Sequence, residues 1–224
     1  MASDSTSATD KSPRDRIIAA FMSLLADKPF EDIGLGEIAR TAGVSLAELR
    51  DQFSSTLAIL AAQIKATDRA VLAAGDADMA EEPPRERLFD VLMRRLDLLA
   101  PQKAAVRSLI RSAGRNPALA FALNSLAVRS HQWMLTAADI DAAGPRGMLR
   151  AQGLAVMFAS VLRTWVDDDD PGHAKTMAAL DRALARGQFW SGVLDGLGRI
   201  PAFASRMRPR RRRRRDDDEE TVAA

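Results

Sequence analysis

Apolar residues recur along this chain at helical spacing, in runs bounded by start and stop signals. Ile17, Ile18, Phe21, Leu24 and Leu25 mark the first run; Ser12 is placed to cap it, Pro13 suits its first position and Lys28-Pro29 ends it. A second helix is expected over residues 35–41, with Gly34 at the cap position and Ile38 and Ala39 turned inward. Ala42-Gly43-Val44 reads as a turn in which Gly43 can take positive φ. Ser45 opens the third helix, and Ser45-x-x-Glu48 forms a capping box. Leu49 and Phe53, at i and i+4, pack on the first two helices. Two short helices joined by a Gly-containing turn are the arrangement that presents a helix to the major groove.

Ser55 caps a fourth helix to about residue 74, with Leu57, Leu60, Ile64, Ala70 and Val71 apolar. The acidic stretch 75–84 (GDADMAEEPP) then divides the chain. A fifth helix is expected over 85–100, with Leu88, Val91, Leu92, Leu96 and Leu99 inward, and Pro101 opens a sixth to about 114. Asn116-Pro117 starts a seventh, carrying Leu119, Phe121, Leu123, Leu126, Val128, Trp133 and Leu135 as its apolar side. Gly144-Pro145 precedes an eighth over about 146–167; it is apolar nearly all round between Gly153 and Leu162, which predicts burial on most faces. The acids from Asp167 to Asp170 suit the N-terminus of a ninth helix, about 172–186, where the helix dipole favours them. A break and a separate amphipathic piece follow over 188–200. The expected class is all-α: a three-helix headpiece with a helix-turn-helix, then a helical bundle, about nine or ten helices in all. The expected divisions are a disordered 1–12, a headpiece with its connecting helix over 13–75, a bundle over 84–200 and a disordered charged tail over 201–224.

Composition narrows the chemistry. The 224 residues hold no cysteine and two histidines, His131 and His173, so thiolate and histidine-rich metal sites are not expected. The N-terminal stretch lacks the apolar core of a signal peptide, and no apolar run approaches a membrane span, which points to a cytoplasmic protein. No nucleophile elbow, phosphate loop or carboxylate pair appears, so no enzyme activity, metal or cofactor is expected. The net charge of +2 is unevenly spread. Eight arginines and five acids between Arg206 and Glu220 place +3 in the tail, leaving −1 over residues 1–205. Residues 1–75 carry eight Lys/Arg against ten Asp/Glu, a net −2.

Arg16-Ile17-Ile18-x-Ala20, Leu35-Gly36-Glu37-Ile38-Ala39, Ala42-Gly43-Val44-Ser45, Phe53 and Leu57 together resemble the N-terminal domain of TetR-family transcriptional regulators. The resemblance covers about residues 14–64. It implies a homodimer, a third helix in the major groove of double-stranded operator DNA, a ligand pocket among helices five to seven, and a dimer bundle from the last two long helices. Carried over by position, Ser45, Leu46, Ala47 and Arg50 would face bases or backbone, with Gln52, Gly34, Arg40 and Thr56 near phosphates. Arg50 stands where the family usually has an aromatic, and Thr56 where it usually has Lys. The implied function is a repressor released by a small apolar ligand.

Leu92, Leu96, Leu109, Leu123, Leu126, His131, Trp133, Phe158, Leu162 and Trp165 are the candidate pocket residues; ordinary core or dimer interface is the competing reading for the aromatic ones, and a partly exposed surface residue for His131. Thr164-Trp165-x-x-Asp168-Asp169 and the stretch from Lys175 to Arg182 are similar to the lipid-binding accessory proteins of ubiquinone biosynthesis, TetR-like proteins that do not bind DNA. That resemblance implies the alternative, a lipid-binding accessory protein at the membrane surface. The basic run from Arg210 to Arg215, behind Phe189, Trp190, Val193, Leu194 and Leu197, fits weak contact with an anionic surface, whether nucleic acid or membrane.

Overall fold

The computed structural model describes residues 12–75, 79 and 81–197, with side chains to residue 186. The helices are α1 (Pro13–Asp27), α2 (Leu35–Ala42), α3 (Leu46–Gln52), α4 (Thr56–Ala73), α5 (Pro84–Leu99), α6 (Lys103–Arg115), α7 (Pro117–Ala137), α8 (Gly144–Val166) and α9 (Ala174–Leu197), all-α as the periodicity predicts. Single 3-10 turns, Phe30–Asp32 and Ala100–Gln102, precede α2 and α6.

The boundaries follow from local hydrogen bonding. Ser12 Oγ accepts from the Asp15 amide at 3.2 Å, Ser55 Oγ from Ala58 at 3.1 Å, and Asn116 Oδ1 from Leu119 at 3.0 Å; each satisfies an amide that has no partner within its helix. Pro29 forces Lys28 to extended backbone and ends α1. The acids before α9 act as caps: Asp170 accepts from the Gly172 and Ala174 amides, and Asp168 from the Thr176 amide at 2.9 Å and its hydroxyl at 2.6 Å. The Thr176 hydroxyl is the main cause that holds the Asp168 carboxyl below the usual range.

Two apolar clusters result. Ile17, Phe21, Leu25, Ile38, Leu49, Phe53, Ile59 and Leu60 join α1–α4, and Ala105 of α6 is buried among them. Val71 of α4 joins Leu88, Leu92, Leu96, Met134, Phe158, Trp165 and Leu180 in the second, formed with α5, α7, α8 and α9. Helix α4 therefore contributes to both. Beside it lies a buried charge pair: Arg95 of α5 donates to Asp68 of α4, and Asp68 also accepts from Ser130 Oγ of α7 at 2.7 Å.

Helix α6 ties the clusters together. Ser108 Oγ donates to the Lys28 carbonyl at 2.8 Å, and Ser112 Oγ accepts from the Phe30 amide at 3.0 Å. On the same helix Lys103 donates to the Asp168 carbonyl and Arg107 to that of Val166, placing cations at the negative end of α8.

Several expectations need correction. Phe121 is 75% and Trp133 58% exposed, because α7 buries only the stripe through Leu119, Val128, His131, Met134 and Leu135. Helix α8 is not covered all round: Val156 is 59% exposed, and Met148, Leu149, Gly153 and Ser160 are exposed too. Helix α9 runs without the expected break, since Gly187 costs a helix only about 1 kcal/mol relative to Ala. Residues 1–11, the charged tail and the side chains of Phe189, Trp190, Val193, Leu194 and Leu197 lie outside the described residues. Among the described residues no helix is long and apolar enough to cross a membrane.

Removing one member of a buried ion pair strands the other charge away from water. Asp68→Ala is therefore expected to lower unfolding free energy by about 3–5 kcal/mol, with much of it regained in Asp68→Leu combined with Arg95→Met. Urea denaturation measures both; a loss below about 1 kcal/mol would mean that water reaches the pair.

Candidate functional site

The exposed face of α3 is held by its neighbours on both sides. Helix α2 closes at Gly43, whose φ of 62° and ψ of 41° are left-handed. Its amide bonds to the Arg40 carbonyl at 3.2 Å, and the Val44 amide to that of Ala39 at 3.0 Å. This double closure needs a residue without the Cβ penalty of about 1–2 kcal/mol. Two residues on, Ser45 Oγ accepts from the Glu48 amide at 3.1 Å while the Ser45 amide donates to Glu48 Oε2 at 2.8 Å. The Ser45 amide and then its hydroxyl hold the Glu48 carboxyl below its usual range, so this acid is committed to the cap. At the other end, Arg14 donates to the Gln52 carbonyl at 3.3 Å and lies 4.4 Å over the Phe53 ring.

Leu49 anchors α3 in the headpiece core, which turns the opposite face outward. Gly34, Arg40, Ser45, Leu46, Ala47, Arg50 and Gln52 are all exposed, and Thr56 is half-buried at the first turn of α4. Leu46 is 61% exposed and belongs to neither apolar cluster. Of the other headpiece cations, Lys28 is paired with Glu37 at 2.5 Å.

Behind the headpiece lies a cavity of about 430 Å³. Met22 and Leu25 of α1 and Leu60, Ile64 and Thr67 of α4 line it on one side; Arg95 and Leu99 of α5, Val106, Leu109 and Ile110 of α6, Leu123 and His131 of α7, and Phe158 and Leu162 of α8 are among the others. Its polar groups are largely satisfied within the protein. Gln63 donates to Gln102 at 3.0 Å and to Thr67 at 3.4 Å, Asn124 and Gln152 exchange bonds at 3.0 Å, and Arg95 is paired with Asp68. His131, only 3% exposed, is the exception. Its Nδ1 lies 2.7 Å from the Ala127 carbonyl, its ring 5.1 Å from that of Phe158, and its Nε2 is buried without a partner.

Five candidate pocket residues thus meet at the cavity: Leu109, Leu123, His131, Phe158 and Leu162. Leu92, Leu96 and Trp165 are instead wholly buried in the core, Leu126 is not on the wall, and Trp133 faces solvent. His131 is buried rather than partly exposed, because it falls on the inward stripe of α7 with Val128 and Leu135. Arg95, Asp68 and Met22 are not evident as site residues from sequence. The available signal is a pair of opposite charges, each interrupting an apolar stripe: Arg95 after Val91 and Leu92, Asp68 after Ile64.

Burial, and then the nearby Arg95 charge, push His131 down to about 3 from its ordinary 6.5. As pH falls below the ordinary value the unfolded chain takes up a proton that the folded chain refuses. This stability is present above pH ~6.5 and drains away toward pH ~3. Relative to His131→Phe, the wild type is expected to lose about 2 kcal/mol of unfolding free energy between pH ~7 and ~5. Parallel pH dependences in denaturant titrations would contradict a neutral buried imidazole.

No family model matches the chain, nor does any curated protein sequence. Solved structures do. A TetR transcriptional regulator from Nitrosomonas europaea ATCC 19718 is similar at a TM-score of 0.61 and 25% identity, over 79% of this chain and 98% of that one. One from Rhodococcus sp. RHA1 is similar at 0.57 and 20% identity, over 78% and 95%. A tetR-family regulator from Streptomyces coelicolor is similar at 0.54 and 17% identity, over 83% and 84%. From the helix-turn-helix of α2 and α3 to the long helices α8 and α9, this chain has the fold of TetR-family transcriptional regulators.

Proposed function

We propose that this protein is a DNA-binding transcriptional repressor, a homodimer that leaves its operator when a small apolar molecule fills the cavity behind the headpiece. The observation that carries the reading is the outer face of α3. Ser45, Leu46, Ala47 and Arg50 stand exposed on a helix whose turn, cap and anchor are all in place. Arg50 can pair bidentately with guanine or hold a phosphate, and an exposed leucine suits a thymine methyl. Dimerisation is supported by Met148 and Leu149 on α8 and Met177 on α9, large apolar side chains left exposed on the two helices.

The release mechanism follows from shared walls. Met22 and Leu25 belong to the headpiece helix α1 and also line the cavity, while α6 lines it and bonds to the α1–α2 connection. A ligand that fits only when these walls shift selects a dimer whose two recognition helices no longer match successive major grooves about 34 Å apart.

A second reading, the lipid-binding accessory protein, is favoured by the scarcity of available headpiece cations: Lys28 is tied to Glu37, and Arg14 packs on Phe53. Phosphate neutralisation supplies most non-specific affinity, so binding is expected to be weak and salt-sensitive.

Anisotropy with the DNA upstream of the protein's own gene separates the two readings. Arg50→Ala is expected to weaken specific binding about tenfold or more. If Arg50 holds a phosphate, the log–log salt slope also falls by about one. No binding at low salt, together with co-purified lipid, would sink the repressor. Leu149→Glu is expected to give a folded monomer by light scattering and to abolish operator binding; a variant that stays dimeric would place the interface elsewhere.

A further inference from the structure

We propose that the cavity takes an apolar molecule bearing one neutral hydroxyl, an alcohol or a phenol, which donates its hydrogen bond to His131 Nε2. This rests on the reading of the cavity as the effector site. The other ring nitrogen fixes the tautomer. A carbonyl oxygen can only accept, so at 2.7 Å from the Ala127 carbonyl it is Nδ1 that carries the proton. In a neutral imidazole Nε2 is then a bare acceptor. Burial and the Arg95 charge keep the ring neutral far below physiological pH. Nε2 therefore offers a lone pair and no proton, on a side chain that lines the cavity among mostly apolar neighbours, chiefly Leu and Ala with Ile, Val, Met and Phe.

The charge around it disfavours an acid. A carboxylate would set its own lone pairs against that of Nε2. The cations on the wall are Arg95 and Arg163. The Arg95 guanidinium is already committed to Asp68, which Ser130 holds in place. Arg163 is exposed and hydrated, so it gives an anion little that water does not. An ether or a plain hydrocarbon would fill the space and leave Nε2 stranded. Rejecting an analogue that leaves a buried polar group unpaired is stronger discrimination than any lost methylene provides.

The test uses the full chain and three matched probes: para-butylphenol, para-butylanisole and para-butylbenzoate. Calorimetry is expected to give the phenol about tenfold or more tighter binding than the anisole. The benzoate is expected to bind no better than the anisole. In His131→Phe the anisole still binds and the phenol loses its advantage; His131→Gln, which keeps an acceptor, retains part of it and serves if the Phe variant does not fold. The Nε2 nitrogen resonance should move with the phenol and stay put with the anisole. Benzoate binding tightest, or a phenol preference that survives His131→Phe, overturns the proposal. If no probe binds, the cavity is no effector site and the ligand-release reading falls with it. If the preference holds but the phenol leaves operator binding unchanged, the ligand class stands and the release mechanism alone fails.

Discussion

Two opposite charges taken out of water, Asp68 on α4 and Arg95 on α5, meet on the helix that both apolar clusters share. Each alone would carry a desolvation penalty of several kcal/mol. Together, with Ser130 donating a second bond to the same carboxylate oxygen, they compensate each other while α4, α5 and α7 keep this packing. Helix α4 carries Ile59 and Leu60 of the headpiece at one end and Val71 of the second cluster at the other, so the pairing fixes a helix that both share. The same pair shapes the cavity: it occupies Arg95, which would otherwise bind an anion, and the remaining field of Arg95 helps keep His131 uncharged.

Helix α6 extends that arrangement across the molecule. Its serines bond to the backbone between α1 and α2, its cations bond to the end of α8, and its apolar face lines the cavity. The elements that enclose the space are thus also the ones that hold the headpiece. At the surface of the headpiece, Glu48 is committed to the α3 cap and Glu37 to Lys28. The acidic balance of residues 1–75 is thus partly used within the chain, and that use also removes a cation from what could meet phosphate.

What sequence made legible was whatever depends on neighbours within about one helical turn. Ser12, Ser45, Ser55 and Asn116 cap the helices they precede; Gly43 makes the left-handed turn; Pro29 stops α1. These features hydrogen-bond over three or four positions, so their geometry is written in the order of residue types. The inward stripes of α1, α2, α3 and α5 were legible for the same reason, because the period of a helix is local; on α4 the expected Ala70 is exposed, and Ile59, Thr67 and Asp68 are buried instead.

Partners across the fold were not. Phe121 and Trp133 share the apolar character of α7 but not its buried stripe, and no periodicity tells which face of a long helix its neighbours will cover. Arg95 and Asp68 are 27 positions apart, and neither reads as part of a pair until α4 and α5 pack side by side. His131 became an acceptor in a cavity only because α7 turned it toward Phe158 and its own backbone carbonyl took the Nδ1 proton. Sequence by itself determined the helices up to α8, the caps at Ser12, Ser45, Ser55 and Asn116 and the turn that displays α3, because those depend on short-range bonding. Tertiary structure alone decided the buried ion pair, the cavity and its one unsatisfied nitrogen, because burial is a property of what packs against a residue and not of the residue itself.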